Sequence, residues 1–369
     1  MVKYLSGNII EGSSTKVAPP AQTGFKELAR KTVGSGGSSS ITTDVFTEKD
    51  NLMILYNAFE ADPRMRVGND TIDTGQNYNY TYSEQGGAQS NSGSIKDRWQ
   101  VNAGAGSHSN EGQFGYIEGV NQTGGEKFFI LQTVDNCVGT GNSSNVGSYE
   151  RTMKWTNTTD RINIARLYVN SGTMAEGSEI IVLGCDNDET GTTGAGKSPT
   201  HTDTNFWQRL DSSSPITTAG DTLDTGTFTA KKYLMIQVYG ITSGGNMDMN
   251  YLRFNDDVAT NGTNYSVSKS DNGASMDSNN GISGILYQTA NSAQDHFTEA
   301  YCLNQANREK LLYTEGVRHG GDGDTADPNR KEMVGKWTNT SDSITRIRAY
   351  NGGAGDYGVG SYIRVWGSN

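Results

Sequence analysis

Lys154-Trp155-Thr156-Asn157-Thr158 returns late in the chain as Lys336-Trp337-Thr338-Asn339-Thr340. That recurrence decides how the chain is read, because an overlooked repeat mis-assigns the whole fold. Outward from it, Ile162 matches Ile344, Arg166 matches Arg348 and Tyr168 matches Tyr350 at the same spacing. Gly177-Ser178 aligns with Gly360-Ser361 one position further on, and Gly184 and Gly367 end both copies in register. Upstream, Phe46-Thr47 pairs with Phe228-Thr229 and Leu52-Met53-Ile54 with Leu234-Met235-Ile236. Asn121-Gln122 pairs with Asn304-Gln305, Glu126-Lys127 with Glu309-Lys310, and Phe25 and Leu28 stand opposite Trp207 and Leu210. So many markers in one order make the chain a tandem duplication. Copy one spans residues 21–186 and copy two 203–369, joined by a polar linker, 187–202, with Pro199 near its end. Residues 1–20 have no counterpart in copy two and read as an N-terminal arm closing at Pro19-Pro20.

Within each copy the periodicity is that of strands. Ile162 to Tyr168 alternates apolar and polar residues, as does Ile344 to Arg348. Asn51 to Ala58 and Tyr233 to Tyr239 read as central strands, and Glu179 to Leu183 and Tyr362 to Trp366 close each copy. Phe114 to Ile117, Phe128 to Thr133 and Leu311 to Tyr313 add further strands between Gly- and Asn-rich turns. Phe25 to Lys31 and Phe206 to Leu210 are the segments expected to be helical, if any are. About eight strands in each copy indicate an all-β protein of two tandem jelly-roll-like β-sandwich domains. An immunoglobulin sandwich fits less well, since the copies are too long for it and lack the Cys…Trp…Cys frame.

Composition agrees. Only 33% of residues are hydrophobic and 19% charged, while Gly reaches 47. The balance has gone to small polar residues suited to turns rather than to the Glu/Lys excess of disorder. The net charge of −11 and the lack of a basic run argue against nucleic acid as a partner. No stretch is apolar enough for a membrane span or a signal peptide, so no membrane insertion is expected. Cys137, Cys185 and Cys302 are odd in number and fall at different places in the two copies, which speaks against a disulfide or zinc framework.

Several constellations invite a chemical reading. Gly191-Thr192-Thr193-Gly194-Ala195-Gly196-Lys197-Ser198 satisfies the phosphate-loop pattern, but Pro199 follows where that loop needs a helix. Asp322, Asp324 and Asp327, and Asp186 with Asp188 and Glu189, offer oxygens to Ca²⁺, yet neither group follows an EF-hand loop or recurs in the other copy. Asn255-Asp256-Asp257 and Asn69-Asp70 read as turn formers. His108, His201, His296 and His319 are scattered and have no equivalents. Trp155 and Trp337 fit either a sugar-stacking platform or packing at the entry to the next strand, the second being favoured by their place. Tyr78, Tyr80 and Tyr82 fit either a recognition surface or one face of a strand. No catalytic, cofactor-binding or metal-binding set emerges, and a non-enzymatic protein is expected.

One resemblance can be added. The closing pattern from Lys336-Trp337-Thr338-Asn339-Thr340 through Ile344-Thr345 and Gly360-Ser361 to Val365-Trp366-Gly367 resembles the C-terminal end of structural proteins of marine tailed bacteriophages. Phe228 to Leu234, Arg253-Phe254-Asn255-Asp256 with Asn264-Tyr265, and the opening Lys3-Tyr4-Leu5-Ser6-Gly7 are similar to the same group. The resemblance implies a virion component in the capsid, neck or tail, a homo-oligomer contacting other virion proteins and attached through residues 1–20. The competing readings are an adhesin that binds a receptor or a host surface glycan, and a polysaccharide-degrading enzyme, which would need two facing carboxylates that nothing here singles out.

Overall fold

The computed structural model describes residues 3–5, 8–10, 25–59, 62–84, 90–91, 96–101, 112–135, 146–186, 206–245, 247, 249–258, 264–271, 277–282, 284–289, 295–318 and 329–369. Among them there is no helix; every regular element is a strand. In copy one the larger sheet runs, neighbour to neighbour, Lys26–Thr32, Glu179–Cys185, Asn51–Phe59, Gly112–Val120, Lys127–Asp135, Gly147–Trp155, Tyr78–Glu84 and Ser90–Asn91. The smaller sheet runs Trp99–Gln100, Pro63–Asn69, Ile164–Val169 and Ser40–Thr42, with Thr71–Ile72 paired to Pro63–Asn69. Strands distant in sequence lie side by side in both sheets, so the chain winds across the two layers rather than meandering within one. Leu52, Ile54, Met65, Val67, Ile117, Leu131, Leu167 and Val182 meet in one core drawn from both sheets, which makes the unit a jelly-roll-like sandwich.

Copy two repeats the order of both sheets, without a counterpart to Thr71–Ile72 among the described residues and with an added pair of strands, Thr242–Ser243 and Asp356–Tyr357. Its larger sheet runs Gln208–Arg209, Tyr362–Ser368, Tyr233–Gly240, His296–Leu303, Lys310–Arg318, Asn329–Trp337, Tyr265–Asp271 and Asp277–Ile282. Its smaller sheet runs Thr222–Thr227, Arg346–Asn351, Met249–Phe254 and Ile285–Thr289. Registers repeat too: Leu183 stands opposite Met53, and Trp366 opposite Met235. The glycine ending each copy is fixed by space. A Cβ on Gly184 would lie 2.6 Å from Leu28 Cδ1 and 2.8 Å from Lys49 Cβ; one on Gly367 would lie 2.7 Å from Leu210 Cδ1 and 2.8 Å from Lys231 Cβ.

The two expected helices are strands. Lys26–Thr32 and Gln208–Arg209 pair with the closing strand of their own copy and form an edge of the larger sheet. Lys-Glu-Leu-Ala-Arg-Lys has good helix propensity, but pairing with an open sheet edge outweighs a preference of a few tenths of a kcal/mol per residue. The strand count exceeds eight for each copy because two- and three-residue strands such as Ser40–Thr42 and Trp99–Gln100 are too short to show alternation in sequence.

By contacts the chain divides into two compact units. One holds Met1–Tyr82, Gln89–Thr133 and Glu150–Gln208; the other holds Ser83–Ala88, Val134–Tyr149 and Arg209–Asn369. Near the N-terminus Lys3–Leu5 and Asn8–Ile10 pair as an antiparallel hairpin.

Candidate functional site

What the copies share in chemistry is, first, a buried polar cluster beneath the turn that follows the repeated Lys-Trp-Thr-Asn. Asn121 Nδ2 donates to Lys49 O and Ile162 O, both at 3.0 Å, while its Oδ1 accepts from Ile162 N at 2.7 Å. Asn304 does the same with Lys231 O at 3.0 Å, Ile344 O at 3.1 Å and Ile344 N at 2.7 Å. Lys127 Nζ donates to Gly125 O and Asn157 O, and its equivalent Lys310 Nζ donates to Arg308 O and Asn339 O. Burial pushes the pKa of both ammonium groups below the ordinary lysine value. They lie over the rings of Trp155 and Trp337 at 5.7 and 5.5 Å.

Each indole Nε1 donates at 2.7 Å to a carboxylate, Asp73 for Trp155 and Asp257 for Trp337. Burial would raise the Asp73 carboxyl, but hydrogen bonds from Trp155, Asn77 and Gly75 N hold it below its usual value. Tyr78 and Tyr265 complete the parallel by accepting from Val67 N and Phe254 N. Trp155 and Trp337 are buried, so they pack and offer no open platform.

The remaining predicted residues divide cleanly. Asp70, Asn255 and Asp256 have φ of 54°, 52° and 60°, the left-handed conformation of turn formers. Tyr78 and Tyr80 face the core, which rules out a recognition surface for these two; Tyr82 lies in the same strand, with its side chain outside the described residues. His296 is a core residue, its ring 5.8 Å from that of Tyr287 and 6.3 Å from that of Tyr357, at the place Gln113 takes in copy one. Asp186 accepts from Lys49 Nζ at 2.6 Å and from Asp50 N at 3.2 Å. Burial pushes the Cys302 thiol up to about 12. The phosphate-loop pattern Gly191 to Ser198, the linker 187–202, Asp188, Glu189, Asp322, Asp324, Asp327, His108, His201, His319 and Cys137 lie outside the described residues. Among the described residues no group of three or more His, Cys, Asp or Glu is placed to hold a metal ion.

A second shared feature lies on the outer face of the smaller sheet. In copy one Arg166 stands directly opposite Arg66, with Thr42 on its other side. In copy two Arg348 stands directly opposite Arg253, with Asp224 on its other side. Like charges directly opposite on neighbouring strands destabilise a sheet, and both copies hold such a pair. In each, one arginine lies over a tyrosine: Arg66 over Tyr168 at 5.0 Å and Arg253 over Tyr350 at 3.9 Å.

The copies differ in how the charge is answered. Asp224 and Asp256 both bind Arg346 and Arg348, with Arg348 Nε at 2.9 Å from Asp224 Oδ2 and Arg348 Nη1 at 2.9 Å from Asp256 Oδ1. Burial would raise the Asp224 carboxyl, but Arg346, Gly226 N and Arg348 together hold it down at about 2. In copy one Asp97 takes Arg66 and Arg98, and these guanidinium groups outweigh its burial and lower its pKa. Arg166 donates Nε to the hydroxyl of Thr42, at 2.8 Å. Arg64, one row along and opposite Tyr168, has the Asn170 amide oxygen at 2.7 Å from Nη1 once that amide is turned to face it. Sequence reasoning noted Arg166 and Arg348 as repeat markers and missed their partners, because Arg66 and Arg253 do not fall at the common spacing.

No family model matches the chain, and no curated protein matches it. Among solved structures, domains LG4-5 of the mouse laminin alpha1 chain align over 95% of this chain and 92% of that one, at 10% identity and a TM-score of 0.19. An acyl-CoA hydrolase from Agrobacterium tumefaciens aligns over 63% of this chain and 73% of that one, at 6% identity and a TM-score of 0.11. Scores this low carry no property of either protein to this chain.

Proposed function

We propose that the chain is a non-enzymatic structural component of a tailed-phage virion, assembled with copies of itself and with other virion proteins and attached through residues 1–20. The observation that carries this reading is where the duplicated chemistry points. Asn121 and Asn304, Lys127 and Lys310, and Trp155 and Trp337 are buried and bonded to groups of their own copy, mostly backbone carbonyls at turns. The shared groups hold loops in place, which supports a scaffold role for what was duplicated. A sandwich pinned in this way suits a part repeated by symmetry, which needs rigid faces rather than moving ones. The repeated Lys-Trp-Thr-Asn segment and its closing strand are also the residues that resemble phage structural proteins. Residues 1–20 are the attachment because they stand outside both repeats.

The test is deletion of residues 1–20 in the phage that encodes the chain. Purified particles should then lack the protein while the truncated chain, made alone, keeps the β circular dichroism and melting transition of the full chain. Normal incorporation of the truncated chain overturns the attachment. Absence of the full chain from purified wild-type particles overturns the virion assignment itself.

A further inference from the structure

We infer that the outer face of copy one's smaller sheet is a binding site for a carboxylated polysaccharide. This stands on the sheet face alone and does not depend on the virion assignment. Three observations carry it. Arg166 and Arg66 are directly opposite each other, as their equivalents Arg348 and Arg253 are in copy two. Copy two neutralises its pair with Asp224 and Asp256, whereas copy one has Thr42 in place of Asp224. Asp70, at the place of Asp256, is instead hydrogen-bonded to Asn163.

The result is a face holding Arg64, Arg66, Arg98 and Arg166 against Asp97, Asp73, which also acts on Arg66, and, just ahead of the strand, Asp62. It is a local surplus of positive charge on a chain whose net charge is −11. No described carboxylate pairs with Arg166, whose Nε is fixed by Thr42 so that the rest of its fork is aimed rather than loose. A planar guanidinium in that state is a bidentate donor to a carboxylate.

Why a sugar acid rather than an acidic protein follows from the two cross-strand rows. One reads Thr42, Arg166, Arg66, and the next Ser40, Tyr168, Arg64, Gln100. Neighbouring strands place these side chains about 5 Å apart. Hydroxyl and guanidinium groups interleave, neither row holds an aliphatic side chain, and Ile164, next along the same face, is buried, so these rows lack the exposed apolar centre that a protein interface is built on. It offers instead what a polyhydroxylated chain bearing carboxylates needs: hydroxyl and amide groups in register with forked cations, Tyr168 lying beneath Arg66 as their support.

The full chain should retard on an affinity gel containing polygalacturonate and migrate unchanged in neutral dextran, with retardation weakening as salt rises. Thr42→Asp installs copy two's neutralising residue and keeps an acceptor for Arg166 Nε; it should weaken binding at least tenfold while leaving the melting temperature unchanged or higher. Arg166→Ala should weaken binding to a similar degree, and Arg348→Ala, the copy-two equivalent, should leave it intact. Polygalacturonate binding by Thr42→Asp at wild-type strength overturns the proposal, as does its absence from the wild-type chain. Equal binding to polyglutamate or to duplex DNA also overturns it, since the face would then be reading charge alone.

Discussion

The orientation assigned to Asn121 and Asn304 makes a sharp prediction for a nearly isosteric change. In Asn304→Asp the oxygen that accepts from Ile344 N remains, but the group that donates to Lys231 O and Ile344 O becomes a second oxygen facing two carbonyls. Each buried carbonyl left without its donor costs about 1–3 kcal/mol, and no cavity is opened to complicate the sum. Two such losses come to about 2–6 kcal/mol, with a carboxylate held against carbonyl oxygens adding to them, a large share of the roughly 5–15 kcal/mol typical of a domain. Urea unfolding at neutral pH, followed by tryptophan fluorescence, measures this directly. Asn121→Asp should cost a similar amount, since its amide makes the same three bonds at closely matching lengths. Lowering the pH supplies an internal check. Once protonated, the new carboxyl regains one donor, and burial among acceptors brings that protonation on above the usual Asp value. The deficit relative to wild type should therefore shrink as pH falls. An Asn304→Asp protein within about 0.5 kcal/mol of wild type would refute the reasoning, because the amide could then not be donating to both carbonyls.

Other consequences are as direct. Trp155→Phe and Trp337→Phe each remove an indole donor from a carboxylate and should each cost about 1–3 kcal/mol in the same unfolding assay. Tyr78, Tyr265, Tyr287 and Tyr357 are held neutral by burial, their pKa values raised above the ordinary tyrosine value of 10.0. With the folded pKa above the unfolded one, their contribution is complete below about pH 10 and is lost as pH rises further, so tyrosinate absorbance should appear together with unfolding rather than ahead of it. Asp224, at about 2 against 3.8 unperturbed, contributes stability that is present above its unperturbed value and lost as pH falls toward its folded one. Acid titration of Asp224→Asn should show a shallower loss over that window. Gly367→Ala should lower the melting temperature, because its Cβ would meet the Lys231 stem at 2.8 Å and the Tyr233 carbonyl at 2.9 Å.

The parts of this fold that were legible in sequence are those the physics forbids to vary. Asn121 and Asn304, or Lys127 and Lys310, stand out as repeat markers because a buried polar side chain bonded to several backbone groups has no substitute that satisfies them all. Asp73 and Asp257, and Tyr78 and Tyr265, form the same bonds in both copies yet escaped notice. Neither pair falls at the common spacing, because the stretch from the central strand to the next, Leu52 to Arg66 against Leu234 to Arg253, is longer in copy two, and the turn before each Tyr differs again in length. A fixed spacing cannot see past a loop of changed length. Aligning each Trp with an upstream Asp followed by a Tyr would have found them. Lys26–Thr32 was illegible for another reason: its composition favours a helix, and only the sheet edge beside it decides otherwise.

The same comparison separates scaffold from surface. A residue kept in both copies and buried in hydrogen bonds is explained by folding, and Asn304 needs no further reason. Arg66 with Arg166, and Arg253 with Arg348, are kept in both copies yet stand on the outer face directly opposed, an arrangement that folding alone would discard. Copy two answers the repulsion at Arg348 with Asp224 and Asp256, whereas copy one pairs Arg66 with Asp97 and leaves Arg166 to the Thr42 hydroxyl. One change at Thr42 would import half of that remedy. Its absence from copy one leaves Arg166 without a carboxylate partner among the described residues. The loss of binding and a melting temperature that holds or rises on Thr42→Asp are thus two sides of one expectation. Each can fail without the other: unchanged binding removes the site, whereas a lower melting temperature shows that Thr42 is there for the fold.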